Sequence, residues 1–412
     1  MELTKTKFKQ TEIGLIPEDW GIDKFENFIS NKRGGASIKP HEFTNKGVIV
    51  IPKSGVVRGG FLNIARKDIQ YCSKSFWLSH KNNSVDELFL VVVLRDLVPS
   101  GPNLGLIVSI PKKGNYILAQ GTYGFKTESE KCHYSYLVQY SNTNQYRLLM
   151  QQNMVGSTQV FIRSSRLWDL KIPLPPLPEQ KAIAQVLDDT DNLIQAIEQK
   201  LAKKSAIKQG ATQRLLTPKE DWEVKKLGEI GDGIIGLTYS PNDVRKNGTL
   251  VLRSSNVQNG QLSFKDNVFV EMILPNRVIV KENDILICVR NGSKRLIGKC
   301  ALINKKTEGS AFGAFMTVYR SEYSKYVFYV FQSHFIQRQI DEVMGATINQ
   351  ITNKDLNSFE VPFPPKQKQT EIVTILSDMD KEIQQLEQKL LKYKQLKQGL
   401  MKNLLTGKIR LV

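Results

Sequence analysis

Two sets of polar and basic side chains stand in glycine-flanked loops. The first comprises Lys53, Ser54 and Arg58, followed by Arg95, Gln120, Thr122 and Tyr123. The second comprises Arg253, Ser254 and Asn256, followed by Arg290, Asn291, Ser293, Lys294 and Arg295. Arg, Asn and Gln offer paired donors and acceptors that match base edges, whereas Ser, Thr and Lys suit phosphate oxygens. Both sets are therefore candidate contacts to double-stranded DNA. Two further loops, 156–159 and 345–350, are candidates to grip a backbone or a neighbouring domain. A net charge of +18 over 412 residues points the same way, because neutralising phosphates releases counterions. RNA and anionic membrane surfaces share that attraction, so charge alone does not choose among them.

Catalytic patterns fail on inspection. Gly292 to Lys299 looks like a phosphate loop, but five residues rather than four separate its glycines, and Cys300 stands where Ser or Thr would hold magnesium. Glu223-Val224-Lys225 has the E-x-K form of a nuclease site. Its counterpart Gly21-Ile22-Asp23 lacks that form, and no Pro-Asp precedes it. There is no dinucleotide fingerprint, methyltransferase motif or H-x-E cluster, and His41, His80, His133 and His334 are scattered. Cys72, Cys132, Cys288 and Cys300 form no C-x-x-C pair, so buried free thiols are expected rather than zinc ligands or disulfides. No catalytic residue, metal or cofactor is expected on this chain. No apolar run spans a bilayer and the N-terminal residues are polar and basic, which leads us to expect a cytoplasmic protein without membrane contact.

The elements that must position these loops come from a repeat. Sliding the chain by 189 positions aligns Gly156 to Thr217 with Gly345 to Thr406 without a gap, and well over a third of positions are identical. Pro173-Leu174-Pro175-Pro176 meets Pro362-Phe363-Pro364-Pro365, and Lys208-Gln209-Gly210 meets Lys397-Gln398-Gly399. The preceding segments match loosely: Pro17-Glu18-Asp19-Trp20 answers Glu220-Asp221-Trp222, and Lys53 to Gly60 answers Arg253 to Gly260 at a shift of 200.

Each matched block predicts a long helix after its proline run. One apolar line reads Ile183, Leu187, Thr190, Ile194, Ile197, Leu201, Lys204, Lys208, Ala211, Leu215. The other reads Ile372, Leu376, Met379, Ile383, Leu386, Leu390, Tyr393, Lys397, Leu400, Leu404. The alternating steps of four and three make a coiled-coil seam that neither helix can hide alone. Acids come early (Asp188, Asp189, Asp191; Asp378, Asp380, Glu382) and bases late (Lys200, Lys203, Lys204, Lys208; Lys389, Lys392, Lys394, Lys397), so an antiparallel pair brings opposite charges together. At about 1.5 Å per residue, Glu179 to Leu216 measures roughly 55 to 60 Å, the size of a spacer.

The intervening segments show short β-rich runs, Glu87 to Leu94, Arg277 to Val280, Asp284 to Val289 and Phe315 to Tyr319, and a helical stretch near Tyr326 to Val343. The fold class is mixed α/β (α+β). Four segments are expected: globular domains at 1–172 and 218–361, and spacer helices at 173–217 and 362–412. Most of the positive surplus falls on the globular segments.

These features together resemble the specificity (S) subunit of type I restriction-modification enzymes over essentially the whole chain. The resemblance rests on Pro173-Leu174-Pro175-Pro176-Leu177-Pro178-Glu179-Gln180 with its helix, on Thr11 to Trp20, and on the duplicated Leu-Leu-Thr ends. The second copy departs from it at Lys366-Gln367-Lys368. The resemblance implies two target recognition domains, each reading half of a bipartite asymmetric DNA site, with helix length setting the unread gap. It also implies two modification subunits bringing S-adenosylmethionine and adenine methylation, and restriction subunits that use ATP and magnesium. Without the resemblance, an autonomous two-headed DNA-binding or architectural protein fits as well, and a coiled-coil scaffold with incidental charge fits the helices.

Overall fold

The prolines decide where each long helix begins. Pro175 and Pro176 supply no N–H and keep the backbone extended, and the helical bonding starts with Gln180 N donating to Pro176 O at 3.0 Å. Gln180 is buried and donates its side-chain amide to Pro175 O at 2.9 Å; Gln369 does the same to Pro364 O at 2.9 Å. The glutamine survives in both copies, and the second helix forms despite its Lys366-Gln367-Lys368 departure. The helices are Leu177–Leu216 and Lys366–Leu404.

The computed structural model describes residues 7–64, 69–344 and 349–411. Gly345 to Ile348, four residues of the candidate loop 345–350, lie outside the described residues. The chain forms two units, residues 1–198 with 388–412, and residues 199–387. Each unit thus takes half of each long helix, whereas the sequence boundaries set the helices apart as separate segments.

In the first unit one sheet has the order Ile107–Ser109, Leu90–Val93, Thr122–Thr127, Ile29–Gly34. A second sheet has the order Phe43–Thr44, Gln70–Cys72, Val48–Ile51, Tyr116–Leu118, Ser84–Val85, with Val48–Ile51 and Tyr116–Leu118 parallel. The second unit repeats the plan. Its first sheet runs Asp232–Ile235, Met316–Arg320, Ile285–Cys288, Cys300–Leu302. Its second runs Val244–Arg245, Val268–Val270, Thr249–Leu252, Ala311–Phe312, the last two parallel. Close backbone approach is common to both: a Cβ on Gly35 would lie 1.9 Å from Ala119 O, and one on Gly236 2.1 Å from Gly313 O. Only glycine fits at these crossings.

Each core is closed by the start of one long helix and the end of the other. In the first unit, buried Ile183, Ala184 and Leu187 pack with Leu404, Leu405, Phe25 and Tyr136. In the second, Ile372 and Leu376 pack with Leu216, Tyr326 and Phe359. Burying each such large apolar side chain contributes about 1.5 to 3 kcal/mol. The remaining predicted seam residues grade outward: Ile194 and Ile197 are buried, whereas Leu201, Leu215, Ile383, Leu386 and Leu390 are half-buried.

Charge follows the predicted polarity within each unit. In the first, Lys397 pairs with Asp191 at 2.5 Å and Lys394 with Glu198 at 2.7 Å. In the second, Lys204 pairs with Glu382 at 2.6 Å, and Lys208 with Asp380. Rising numbers on one helix meet falling numbers on the other, so the paired halves run antiparallel in each unit.

Two local expectations are corrected. Arg277 to Val280 is not a strand: Pro275 starts a turn, and Val278 N donates back to Pro275 O at 3.0 Å, giving a 3-10 helix over Asn276–Val278. The helical stretch near Tyr326 to Val343 is two helices, Ser324–Phe331 and His334–Val343. Ser333 breaks it, its amide donating to Val330 O at 2.9 Å and its hydroxyl to the same oxygen at 2.5 Å. That bond competes with helix continuation.

Candidate nucleic-acid interface

The candidate loops sit at matching places in the two units. Lys53 and Ser54 lie in the turn Lys53–Gly55 directly after Val48–Ile51, as Arg253 precedes Ser254–Asn256 after Thr249–Leu252. Arg95 pairs in antiparallel register with Phe161, and Arg290 bridges in the same sense to Gln350. Phe161 and Gln350 are themselves related by the shift of 189. Leu94 N donates to Gly121 O at 2.9 Å, and Val289 N to Phe315 O at 3.1 Å. Gly121 and Phe315 are therefore equivalent positions on one frame.

In the first unit the structure brings Lys53, Arg95 and the Gln120-Gly121 turn together. A Cβ on Gly121, whose φ is +88°, would lie 2.9 Å from Arg95 Cβ and 3.3 Å from Lys53 Nζ. Partial burial and then the Arg95 charge hold the Lys53 ammonium below the usual lysine range. Two crowded cations of this kind gain by binding an anion between them. Gln120 and Arg58 are exposed, Arg58 on the following loop. Tyr123 is half-buried, its ring centre 6.4 Å from that of Trp168 in an edge-to-face arrangement. Thr122 faces inward: it is fully buried, and its hydroxyl donates to Ala119 O at 2.6 Å. It shapes the turn and is set aside as a contact.

In the second unit the loops tie to one another. Asn291 donates its amide to Ser254 Oγ at 3.3 Å, its backbone N–H to Asn349 O at 3.3 Å, and accepts from Ser293 N at 3.0 Å. Asn349 returns a bond to Gly292 O at 3.2 Å. Arg253 pairs with Asp266 at 2.9 Å. Asn256 is fully buried, accepting from Arg253 N at 2.9 Å and donating to Ser263 O at 2.9 Å. Like Thr122, it builds the loop and is set aside. Lys294 reaches Asp341 at 3.6 Å, and Arg290, Lys294 and Arg295 are all exposed.

Residue duplication and this shared frame agree with the family comparison. The family described as type I restriction modification DNA specificity domain matches residues 17–204 and again residues 219–394. The chain belongs to this family. Each of its two specificity-domain matches takes in one globular reader and most of the helix that follows. The chain is 27% identical to the specificity subunit assigned to the type I restriction enzyme MjaX of Methanocaldococcus jannaschii, covering 98% of this chain and 96% of the relative. It is 25% identical to the type I restriction enzyme MjaVIII specificity subunit of the same organism, with 98% and 96% covered. The solved type I restriction-modification S subunit from M. genitalium shares the fold at a TM-score of 0.63 and 16% identity, over 97% of this chain and 99% of that one.

Reading the sequence missed Phe315 and Asp266 as parts of the second specificity domain's face, whereas Asn349 lies in the candidate loop 345–350. Phe315 stood at the head of a run read as a strand; the strand begins one residue later, at Met316. That leaves Phe315 57% exposed, with the Arg290 guanidinium 5.3 Å from its ring centre. An exposed aromatic next to Gly313 and Ala314 was the available signal. Asp266 had none, because only the hairpin fold returns it to Arg253.

Proposed function

We propose that the chain is the sequence-specific DNA-recognition subunit of a type I restriction-modification complex, non-catalytic itself, that reads a bipartite asymmetric duplex site. The observation that carries this reading is one loop frame built twice with different side chains, Lys53, Arg95 and Gly121 against Arg253, Arg290 and Phe315. A common frame with unlike contacts suits two unlike half-sites. The two long helices then act as the spacer, pairing as one antiparallel coiled coil that sets the unread gap. Two modification subunits bring S-adenosylmethionine and methylate adenine, and restriction subunits supply the ATP- and magnesium-dependent steps. The whole assembly works in the cytoplasm. Relatives named as specificity subunits, matched over almost their full length, weigh against an autonomous two-headed binder.

The test is co-expression with the cognate modification subunits, followed by co-purification and methylation mapping. Expected is a stable complex and adenine methylation at a motif of two different half-sites with a constant gap. Deleting one heptad from each helix removes roughly 10 Å of rise, so the gap shortens by about three base pairs. A chain that recruits no methyltransferase, or an unchanged gap, overturns the reading.

A further inference from the structure

The two arginines of the second reader are held in different ways. Arg253 is turned inward: its Nη2 meets Asp266 at 2.9 Å, and its backbone N–H closes on Asn256. Among the described residues, its Nε and Ser255 Oγ are buried without a partner, in the wall of a cleft of about 640 Å³ that Phe315 also lines. Arg253 is held in that wall by its pair with Asp266. Arg290 is exposed, and its guanidinium lies over Phe315 with 5.3 Å to the ring centre. Stacking fixes the plane of a guanidinium while leaving the N–H groups along its edge available. The backbone beneath is fixed as well, since Arg290 N donates to Phe315 O at 3.2 Å and Ile351 N to Val289 O at 2.8 Å.

A planar fork held over an aromatic ring, on loops bonded to one another, suits one base. Guanine presents O6 and N7 side by side as two acceptors in the major groove, which an arginine meets bidentately. The first reader lacks this device. Gly121 replaces Phe315, and any side chain there would strike Arg95 Cβ at 2.9 Å. Arg95 instead stands beside Lys53, whose basicity is lowered first by partial burial and then by that neighbour's charge. Two adjacent cations without an aromatic support suit a phosphate oxygen.

We propose that Arg290, oriented by Phe315, reads a guanine in the half-site of the second unit, whereas the equivalent Lys53 and Arg95 pair of the first unit holds a backbone phosphate. This rests on the DNA-reading role proposed above. Arg290 is the specificity-determining contact, and Phe315 is a positioning residue that acts through it.

The experiment uses the full chain assembled with its modification subunits and a duplex carrying the methylation-mapped motif. Each guanine in both half-sites is replaced in turn by 7-deazaguanine, which lacks the N7 acceptor. At one guanine, binding by the unaltered chain is expected to weaken roughly 5- to 150-fold. The same replacement causes no further loss in Arg290→Ala. Arg290→Lys keeps the charge without the fork and loses the same discrimination, and Phe315→Leu loses part of it. Lys53→Ala weakens binding to motif and scrambled duplexes alike and lowers the salt dependence by about one phosphate contact. Equal 7-deazaguanine effects in Arg290→Ala and the unaltered chain overturn the guanine assignment, as does full discrimination in Arg290→Lys. A sequence-dependent effect of Lys53→Ala overturns the phosphate assignment. Failure of the unaltered complex to prefer its motif duplex over a scrambled one would instead sink the DNA-reading role itself.

Discussion

Replacing Arg410 with alanine should release the segment that seals the core of the first unit. Arg410 donates Nε to Glu179 Oε1 at 2.6 Å and Nη2 to Oε2 at 2.8 Å, and grips Asp19 through Nη1 at 2.8 Å and Nη2 at 2.6 Å. Glu179 is only 1% exposed, and its other donor is Trp20 Nε1 at 3.0 Å. The Asp19 side chain is 52% exposed. The exposed half of this network contributes at most about 1 kcal/mol. Stripping the partner from a carboxylate that stays buried costs about 3 to 5 kcal/mol. Here the segment that covers Glu179 is the one that leaves, so water relieves part of that penalty. The expected loss is therefore about 2 to 4 kcal/mol for Arg410→Ala and under about 1 kcal/mol for Asp19→Asn. Hydrogen exchange read by mass spectrometry locates it: peptides around Trp20, Leu187 and 404–411 lose protection, and peptides within 199–387 do not. Equal losses for the two variants, or a loss shared by both units, would refute the reasoning. Acid adds a sign. The hydrogen bond from Arg410 holds the Asp19 carboxyl below its usual range. A depressed carboxyl stabilises the fold above its unfolded value of about 3.9, and that contribution is lost as pH falls through the lower folded value. Protection of 404–411 should accordingly fall as pH drops below about 4, and Arg410→Ala should lose this dependence.

Lys397→Met should cost about 1 to 3 kcal/mol by denaturant unfolding, because it leaves Asp191, whose side chain is 16% exposed, without its cation. Lys394→Met, whose pair with Glu198 is about half exposed, should cost under about 1 kcal/mol, and the reverse order would refute the burial argument. Gly210 and Gly399 lie within the long helices, and a Cβ on either meets nothing within 4 Å. Changing each to alanine should stabilise by about 0.5 to 1 kcal/mol, read as a higher Tm; a lower Tm would mean that the glycine has another role. Burial pushes the thiols of Cys132 and Cys300 up to about 12. Neither should react with iodoacetamide at pH 8 in the native chain, and both should react in urea.

The sequence by itself determined the duplication, the two long helices and the direction in which they pair. All three depend on short-range rules: prolines and a glutamine set the start, a four-and-three apolar step sets the buried face, and acids before bases set the sense. Lys208 with Asp380 and Lys397 with Asp191 answer that pattern at equivalent positions of the repeat. Family membership was legible for the same reason, since the repeated blocks are long and matched without a gap. The tertiary structure alone decided which loop residues face outward. Thr122 and Asn256 share residue type with surface contacts, yet the strands around them turn their polar atoms inward. Arg290 comes under the influence of Phe315, and Lys53 of Arg95, only because sheet crossings fold back segments 25 and 42 residues apart. The Glu179, Arg410 and Asp19 network spans 391 residues at its widest. Periodicity reports on neighbours within a few turns or along one strand, and carries no record of which distant loops the closing of a core will bring together.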